Sequence, residues 1–412
     1  MVKGADRLAA DAAHTREIGA PSAPRPFDDA ALGERYLAEC RPLVLDEIRA
    51  IIRAGTAGDE STYALMLDYP LRRGKGLRPA LCIAVCRALG GDLEEVLPSA
   101  AVLEIYHNAF LIHDDIEDGS LTRRGHPALH QTHGVPAAIN CGDGLLALTL
   151  RPLLQNTDQL GLGRALRILE IYAAMVTESF EGQTRELQWI SEGAWDLGDD
   201  DYEAMVCKKT CGYSFVAPAL VGAAVARATP DMEARLVSFL KRLGLAFQIQ
   251  DDVLNLEQDR GAYGKELAGD LWEGKRTLML LHALRCASEG DRARALAILA
   301  KPRPTGSSPT DSLGALLDEM ARDRVIDDGA RRAMRAYLAR RGASPAEKTP
   351  DEVAFLQALI DEHRSLAHAR GVLARHAEAA ESEWIALEAR LPEGPHARFL
   401  GWLKDYVIQR EW

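Results

Sequence analysis

Two short acidic clusters are the residues of this chain best suited to bind a cation. In the first, LIHDDIEDGSLTRRG, an apolar run is followed by Asp114, Asp115 and Asp118. On a helix of 3.6 residues per turn, Asp114 and Asp118 lie one turn apart on the same face. Like charges at that spacing repel one another and lower helix stability. A hard divalent cation removes the conflict, because carboxylate oxygens are ligands that Mg²⁺ prefers.

The second cluster repeats this arrangement in FQIQDDVLNLEQD, which contains Asp251, Asp252 and Asn255 behind another apolar segment. A single acidic helix face is more typical of a solvated surface. Two matched clusters, each at the end of an apolar helix, instead predict the two walls of one metal site. Asn255 keeps an oxygen acceptor but has one negative charge fewer than aspartate.

Basic residues lie close to both clusters. An acidic wall with Mg²⁺ would bind a polyphosphate, whereas a second anionic ligand would need direct contacts with cations. The net charge of -12 argues against nucleic acid as the anion, since no broad basic surface is available to neutralise its phosphates. The candidate anion-binding residues are Lys75, Arg78, Arg123, Arg124, Lys209, Lys265 and Lys275.

The elements that position these residues are predicted to be helices. Apolar residues recur at intervals of three and four, and alternating β-branched runs are absent. We therefore predict an all-α fold with helices over about 29–54, 78–89, 94–118, 134–155, 161–189, 200–227, 231–257, 275–288, 312–322, 328–341, 350–380 and 395–409.

The chain is predicted to contain a flexible tail over residues 1–27 and one all-α domain over 28–412. The stretch KPRPTGSSPTDS is rich in Pro, Gly and Ser, so we interpret 301–349 as an insertion into that domain. The N-terminus lacks the features of a secretory signal or transit peptide, and no apolar run is long enough to span a membrane. A cytoplasmic location is the expectation.

Several stretches together resemble one known family. They are GKGLRP, EIYHNAFLIHDDIEDGSLTRRGHP, CGD, EGQTREL, KKT, FQIQDDVLN and YGKELAGDLWEGKRT, which match in order from about residue 70 to 285. The chain looks like a trans-isoprenyl diphosphate synthase of the polyprenyl synthase family, and it is most similar to the geranylgeranyl diphosphate synthases. The resemblance implies a single large helical bundle around a central active-site cavity, and a homodimer.

The resemblance also implies roles for individual residues. By analogy with the family, three Mg²⁺ ions bind an allylic diphosphate (dimethylallyl, geranyl or farnesyl) through the two clusters. The matching metal positions are Asp114, Asp115, Asp118, Asp251, Asp252 and Asn255. Contacts to the allylic group match Arg123, Lys209, Lys265 and Lys275, those to isopentenyl diphosphate match Lys75, Arg78, His107 and Arg124, and polar groups near the developing carbocation match Thr210 and Gln248.

Product length is expected to depend on the helix behind Asp114. Phe110 and Tyr106 lie one and two turns before it, about 6 and 12 Å deeper at 1.5 Å per residue. Large rings at these depths would form the floor of a tunnel for the growing hydrocarbon. Short-chain members of the family that the chain resembles often carry an aromatic residue where this chain has Ala109, so the resemblance favours a C20 over a C15 product. The alternative is that both rings only pack against neighbouring helices.

Two other functions remain open from the sequence. A class I terpene cyclase on the same fold would ionise a diphosphate and close rings, but it has no second diphosphate for Lys75, Arg78, His107 and Arg124 to hold. A non-catalytic partner subunit of a prenyl synthase would not need two intact acidic clusters. The predicted activity is therefore Mg²⁺-dependent condensation of isopentenyl diphosphate with an allylic diphosphate. Whether Gln183 and Glu186 contribute to the site is not decided by their spacing.

Overall fold

The computed structural model describes residues 29–56, 58–72, 74–257, 268–303, 309–341 and 347–409. The predicted tail over 1–27 and Lys265 lie outside these residues. The all-α prediction is confirmed. From the amino end the helices are α1 Asp29–Gly55, α2 Glu60–Leu71, α3 Leu77–Ala88, α4 Leu93–Glu117, α5 Leu129–His133, α6 Val135–Leu148, α7 Leu150–Leu160, α8 Leu162–Ser191 and α9 Asp199–Val206. A π-helix, Cys207–Val216, follows, and then come α10 Ala217–Val225, α11 Pro230–Glu257, α12 Gly269–Glu273, α13 Leu278–Cys286, α14 Glu289–Leu299, α15 Pro309–Arg322, α16 Asp328–Arg341, α17 Pro350–Glu362, α18 Ser365–Glu388 and α19 Pro395–Gln409.

The helices that end in the acidic clusters are central to the bundle. α4 packs against α1, α3, α6 and α10, and α11 packs against α10, α18, α19 and the π-helix. Both helices have apolar residues around most of their circumference, which is typical of helices surrounded by other helices. No helix in the described ranges has the length and apolar composition needed to cross a bilayer.

The observed helix boundaries differ from the predicted ones in a few places. Short helices α2, α5, α12 and α14 were not predicted. The predicted helix 134–155 is divided at Thr149 into α6 and α7. The predicted helix 350–380 is divided before Ser365, because Arg364 adopts a left-handed conformation with φ of 51°. Periodicity continues across both breaks, so it does not reveal them.

The π-helix Cys207–Val216 replaces the middle of the predicted helix 200–227. Its backbone lies directly against α8, since a Cβ at Gly182 would come within 2.3 Å of the backbone nitrogen of Lys209. Only glycine permits this approach. Wider π-helical turns are frequent at functional sites, and here the element contains Lys209 and Thr210.

A two-stranded hairpin follows α4. β1, Thr122–Arg123, pairs antiparallel with β2, His126–Pro127. Its turn residues Arg124 and Gly125 have φ of 53° and 78°, as in the two-residue turns whose twist suits a hairpin. The turn reverses the chain so that it returns past the end of α4. Arg124 adopts a conformation unusual for a side chain other than glycine, asparagine or aspartate.

The predicted insertion contains a helical hairpin in which α15 packs against α16. Both ends of the segment are bound to the bundle. The backbone N–H of Lys348 donates to the carbonyl oxygen of Pro302 at 3.0 Å, and its Nζ donates to the carbonyl oxygen of Trp272 at 2.6 Å. Burial, with the charge of Arg276 second, lowers the pKa of Lys348 to about 8. The ends of the segment are therefore fixed next to α12.

Candidate active site

The two acidic clusters face one cavity of about 460 Å³. Asp114 and Asp118 line it from the end of α4, and Asp251 lines it from α11. Both helices end beside the cavity because their apolar faces are buried in the same core, so the polar residues that follow meet at one place. Carboxylates of both clusters thus lie around one cavity, as expected of two walls of one site.

Asp115 lies behind the first wall and does not line the cavity. It is fully buried and accepts a hydrogen bond from Oη of Tyr69 at 2.5 Å. Nε of Arg123 donates to its two oxygens at 2.9 and 3.1 Å, and Nη2 of the same guanidinium also contacts it. The Arg123 side chain, only 11% exposed, in turn lines the cavity. The buried carboxylate therefore holds a cation at the cavity surface.

The second cluster has the same arrangement. Asp252 is buried and accepts from Oη of Tyr202 at 2.7 Å, from Nε2 of Gln248 at 2.8 Å and from Nζ of Lys275 at 3.3 Å. Gln248 and Lys275 both line the cavity. Burial alone would lower the pKa of Lys275, but Asp252 and then Asp270 outweigh it and raise the pKa. In each cluster, a buried tyrosine and a buried aspartate support a cavity-lining cation.

Asn255 has a local structural contact as well as a place in the cavity lining. Its Oδ1 accepts from the backbone N–H of Asp270 at 3.1 Å, and its carbonyl oxygen accepts from the N–H of Ala268 at 3.1 Å. These bonds join the end of α11 to the start of α12. An asparagine at this position therefore ties together the two elements that form the second wall.

Lys209 extends from the π-helix toward the first cluster. Its Nζ lies 3.3 Å from Oδ1 of Asp114 and contacts the carboxylate of the buried Glu186. Burial opposes the charge, but Glu186 and then Asp114 raise the pKa of Lys209. Glu186 lines the cavity, a position that its spacing in the sequence did not decide. Nε2 of Gln183 donates to the carboxylate of Glu117 nearby.

The chemistry of this donor set suits divalent cations. Asp114, Asp118 and Asp251 present carboxylate oxygens to one cavity. Burial, followed by the charge of Asp114, raises the pKa of Asp118, so a cation bound beside it would favour its anionic form. No group of three metal-ligating side chains within the described ranges is already close enough to hold an ion. Mg²⁺ fits such a site, because it commonly takes only one or two protein carboxylates and completes its coordination with water and substrate phosphate.

A second set of cations lies beside the first. Nη2 of Arg78 donates to Oη of Tyr213 at 3.1 Å and to Oγ of Ser214 at 2.7 Å. Nη1 of Arg124 lies 3.4 Å from the carbonyl oxygen of Tyr69. Burial, with Arg78 second, lowers the pKa of His107, so its imidazole is neutral.

The remaining predicted residues are divided between the cavity and the surface. Arg78, Arg124, His107 and Thr210 line the cavity. Lys75 does not line it, and its exposed ammonium contacts Oη of Tyr406 on α19.

The proposed tunnel floor consists of aromatic rings in two layers. Phe110 lines the cavity, and its ring lies 6.2 Å from that of Tyr106 and 5.4 Å from that of Tyr213. Tyr106 is buried one layer deeper, against Tyr172 at 6.0 Å. These distances are typical of favourable aromatic contacts.

Among the residues of the site that sequence reasoning missed are Tyr69, Tyr202, Tyr213 and Arg303. Tyr213 had a usable signal, because it follows Lys209 by four residues and so shares its helix face. Tyr69 and Tyr202 approach the acidic clusters from α2 and α9, a tertiary contact that sequence spacing does not encode. Arg303 lines the cavity from a segment outside the quoted motifs.

Comparisons with known proteins agree with this geometry. The polyprenyl synthetase family model matches residues 60–312. A geranylgeranyl diphosphate synthase from Mycobacterium tuberculosis is 33% identical over 339 residues, which cover 79% of this chain and 92% of the relative. The geranylgeranyl pyrophosphate synthetase from Pyrococcus horikoshii Ot3 has a TM-score of 0.72 at 26% identity, covering 92% of this chain and 99% of that one. The polyprenyl synthase from Caulobacter crescentus CB15, complexed with calcium and isoprenyl diphosphate, has a TM-score of 0.68 at 25% identity. The match covers 92% of this chain and 98% of that one. The resemblance inferred from the motifs is confirmed, and the chain belongs to the polyprenyl synthetase family.

Proposed function

We propose that this protein is a Mg²⁺-dependent trans-prenyltransferase that condenses isopentenyl diphosphate with an allylic diphosphate. The proposed product is a C20 prenyl diphosphate, with C15 as the shorter alternative. The single observation that carries the proposal is that one cavity holds two sets of cations. Arg123, Lys209 and Lys275 are held by carboxylates, whereas Arg78 and Arg124 are held by hydroxyl and carbonyl oxygens. Two sets of cations would bind two diphosphate groups, one on each substrate.

The first step separates charge as the allylic C–O bond breaks. In the proposal, Asp114, Asp118 and Asp251 would bind three Mg²⁺ ions. These ions would neutralise the negative charge of the diphosphate leaving group. Arg123, Lys209 and Lys275 add fixed positive charge at the same group. Because buried aspartates and glutamate already orient these cations, little reorganisation accompanies the reaction. Thr210 and Gln248 line the cavity, and we assign their polar oxygens to stabilisation of the allylic cation.

In the second step, the double bond of isopentenyl diphosphate attacks the cation. A C–C bond forms, the resulting cation loses a proton to the pyrophosphate that left in the first step, and the products are pyrophosphate and a prenyl diphosphate longer by one C5 unit. We assign Arg78 and Arg124 to the isopentenyl diphosphate, with the neutral imidazole of His107 beside them. Phe110 and Phe247 line the cavity with apolar surface, which excludes water that would trap the cation. Fixing both reactants at close range lowers the entropic part of the barrier.

One assay distinguishes the proposal from a cyclase and from a non-catalytic subunit. Purified protein is incubated with Mg²⁺, labelled isopentenyl diphosphate and each allylic diphosphate, and extracted before and after phosphatase treatment. We expect labelled prenyl alcohols that appear only after phosphatase. A hydrocarbon extracted without phosphatase would indicate a cyclase, and no turnover with any allylic substrate would indicate a partner subunit.

We further propose that the protein is a homodimer. Large apolar side chains are exposed along the consecutive helices α6 to α8, namely Ile139, Leu150, Leu154, Leu162, Leu166 and Phe180. Exposed apolar surface of this extent is typical of an interface, and a second copy of the chain is the partner that the family resemblance favours. Sedimentation equilibrium should give twice the chain mass of 45.0 kDa, and Leu154→Glu should give the monomer mass. A wild-type monomer at micromolar concentration would contradict this proposal.

A further inference from the structure

Arg303 is a basic residue that lines the cavity from the segment 301–349. That segment lies outside the motifs on which the family resemblance rests, and from the sequence it was interpreted as an insertion without an assigned role in the site. The structure instead places its first residues beside the wall of the second acidic cluster.

The position of Arg303 is defined by an ion pair within the cavity wall. Its Nη1 lies 3.1 Å from Oε1 of Glu273, and the two side chains are only 15% and 21% exposed. Glu273 ends α12 and also lines the cavity. Lys275, which is bound to Asp252, follows Glu273 by two residues. Arg303 and Lys275 thus lie on the same side of the cavity.

The backbone beside Arg303 is anchored independently of this ion pair. The carbonyl oxygen of Pro302 accepts from the N–H of Lys348, whose Nζ donates to the carbonyl oxygen of Trp272 on α12. The ammonium of Lys301 contacts Glu352 on α17. A side chain held at a cavity by contacts of its neighbours is preorganised, so its binding to a ligand costs less ordering entropy. An ion pair serving stability alone would contribute little and would not need this placement.

We propose that Arg303 binds the diphosphate of the allylic substrate from the α12 wall. The inference rests on the proposed function, and it deepens it by assigning part of the substrate site to the insertion. A guanidinium presents paired N–H donors that match the oxygens of a phosphate better than a lysine does. When the anionic substrate enters, its oxygens replace the Glu273 carboxylate as the partner of Arg303.

The test is the steady-state kinetics of Arg303→Gln. Loss of one charge-assisted contact is expected to raise the KM for the allylic diphosphate about tenfold. The KM for isopentenyl diphosphate is expected to stay within about twofold of wild type, because the lost contact concerns only one substrate. Arg303→Lys should recover part of the effect. Arg322→Gln, which removes an exposed arginine of the same insertion, is the matched control and should behave as wild type.

A second measurement separates this inference from the proposed function. Binding of inorganic pyrophosphate with Mg²⁺ is measured by calorimetry for wild type and Arg303→Gln, without turnover. Weaker binding by the variant supports the assignment even if wild type elongates no allylic substrate, a result that would reject the proposed function alone. The inference is overturned if Arg303→Gln matches wild type in both allylic KM and pyrophosphate affinity. A lower melting temperature with both values unchanged overturns it too, since Arg303 would then only support the fold.

Discussion

Replacing Asp114 by asparagine is expected to lower kcat about a thousandfold, the loss seen when one preorganised electrostatic group is removed from a reacting centre. The carboxylate lines the cavity and also lies 3.3 Å from Nζ of Lys209. The substitution therefore removes a proposed metal ligand and frees an ammonium that it helped to orient. Turnover measured against Mg²⁺ concentration should also show a higher metal requirement.

The fold should tolerate this change. The charge of Asp114 contributes to the raised pKa of Asp118, so its removal relieves a repulsion between like charges. The substitution also removes the ion pairs of Asp114 with Lys209 and Arg123, so the melting temperature without Mg²⁺ should change little. Asp361→Asn, on the exposed surface of α17, is the control for a charge change distant from the cavity. Wild-type turnover by Asp114→Asn would disprove the assignment of the first acidic cluster.

Enlarging the aromatic floor is expected to change the product rather than the rate. Both Phe110 and Tyr106 were expected to form the floor, and in the structure Phe110 lies at the cavity surface with Tyr106 behind it. Phe110→Ala should therefore lengthen the main product by one C5 unit. The double variant Phe110→Ala/Tyr106→Ala should open one further helical turn, about 5.4 Å, and allow longer products still. Chromatography of the dephosphorylated alcohols measures the distribution.

Loss of packing is the alternative cause of any change, and it needs its own control. Truncating a fully buried ring costs about 3–5 kcal/mol, so the double variant will also be less stable. Phe239→Leu removes a buried ring that packs on Trp384 away from the cavity, and it should melt at a lower temperature with an unchanged product. If the double variant also keeps the wild-type product, the rings serve packing only, and another part of the cavity sets the chain length.

The sequence predicted most of the fold because long amphipathic helices have a strong period. The helices that end in the acidic clusters were placed within one residue at most boundaries. The π-helix was not predicted, since the composition of Cys207–Val216 does not distinguish a π-helix from an α-helix. Hydrophobic periodicity records which face is buried but not the backbone hydrogen-bond pattern.

The candidate site was predictable where chemistry and spacing coincide. Asp114 and Asp118 share a helix face, and that fact follows from their numbers alone. The distinction between Asp114 at the cavity and Asp115 behind it does not, because it depends on Tyr69 and Arg123 arriving from other elements. Such partners are set by tertiary packing, for which a single sequence contains no direct signal.

The buried carboxylates behind Arg123 and Lys275 also affect the last step of the proposed catalytic cycle, which is the release of pyrophosphate. Asp115 and Asp252 bind these cations from the buried side, so the orientation of the cations would not change after the C–C bond has formed. Pyrophosphate must then depart from an electrostatic field that does not relax. In the proposed reaction, an environment preorganised for bond breaking also binds the pyrophosphate product, so we expect product dissociation to contribute to the steady-state rate.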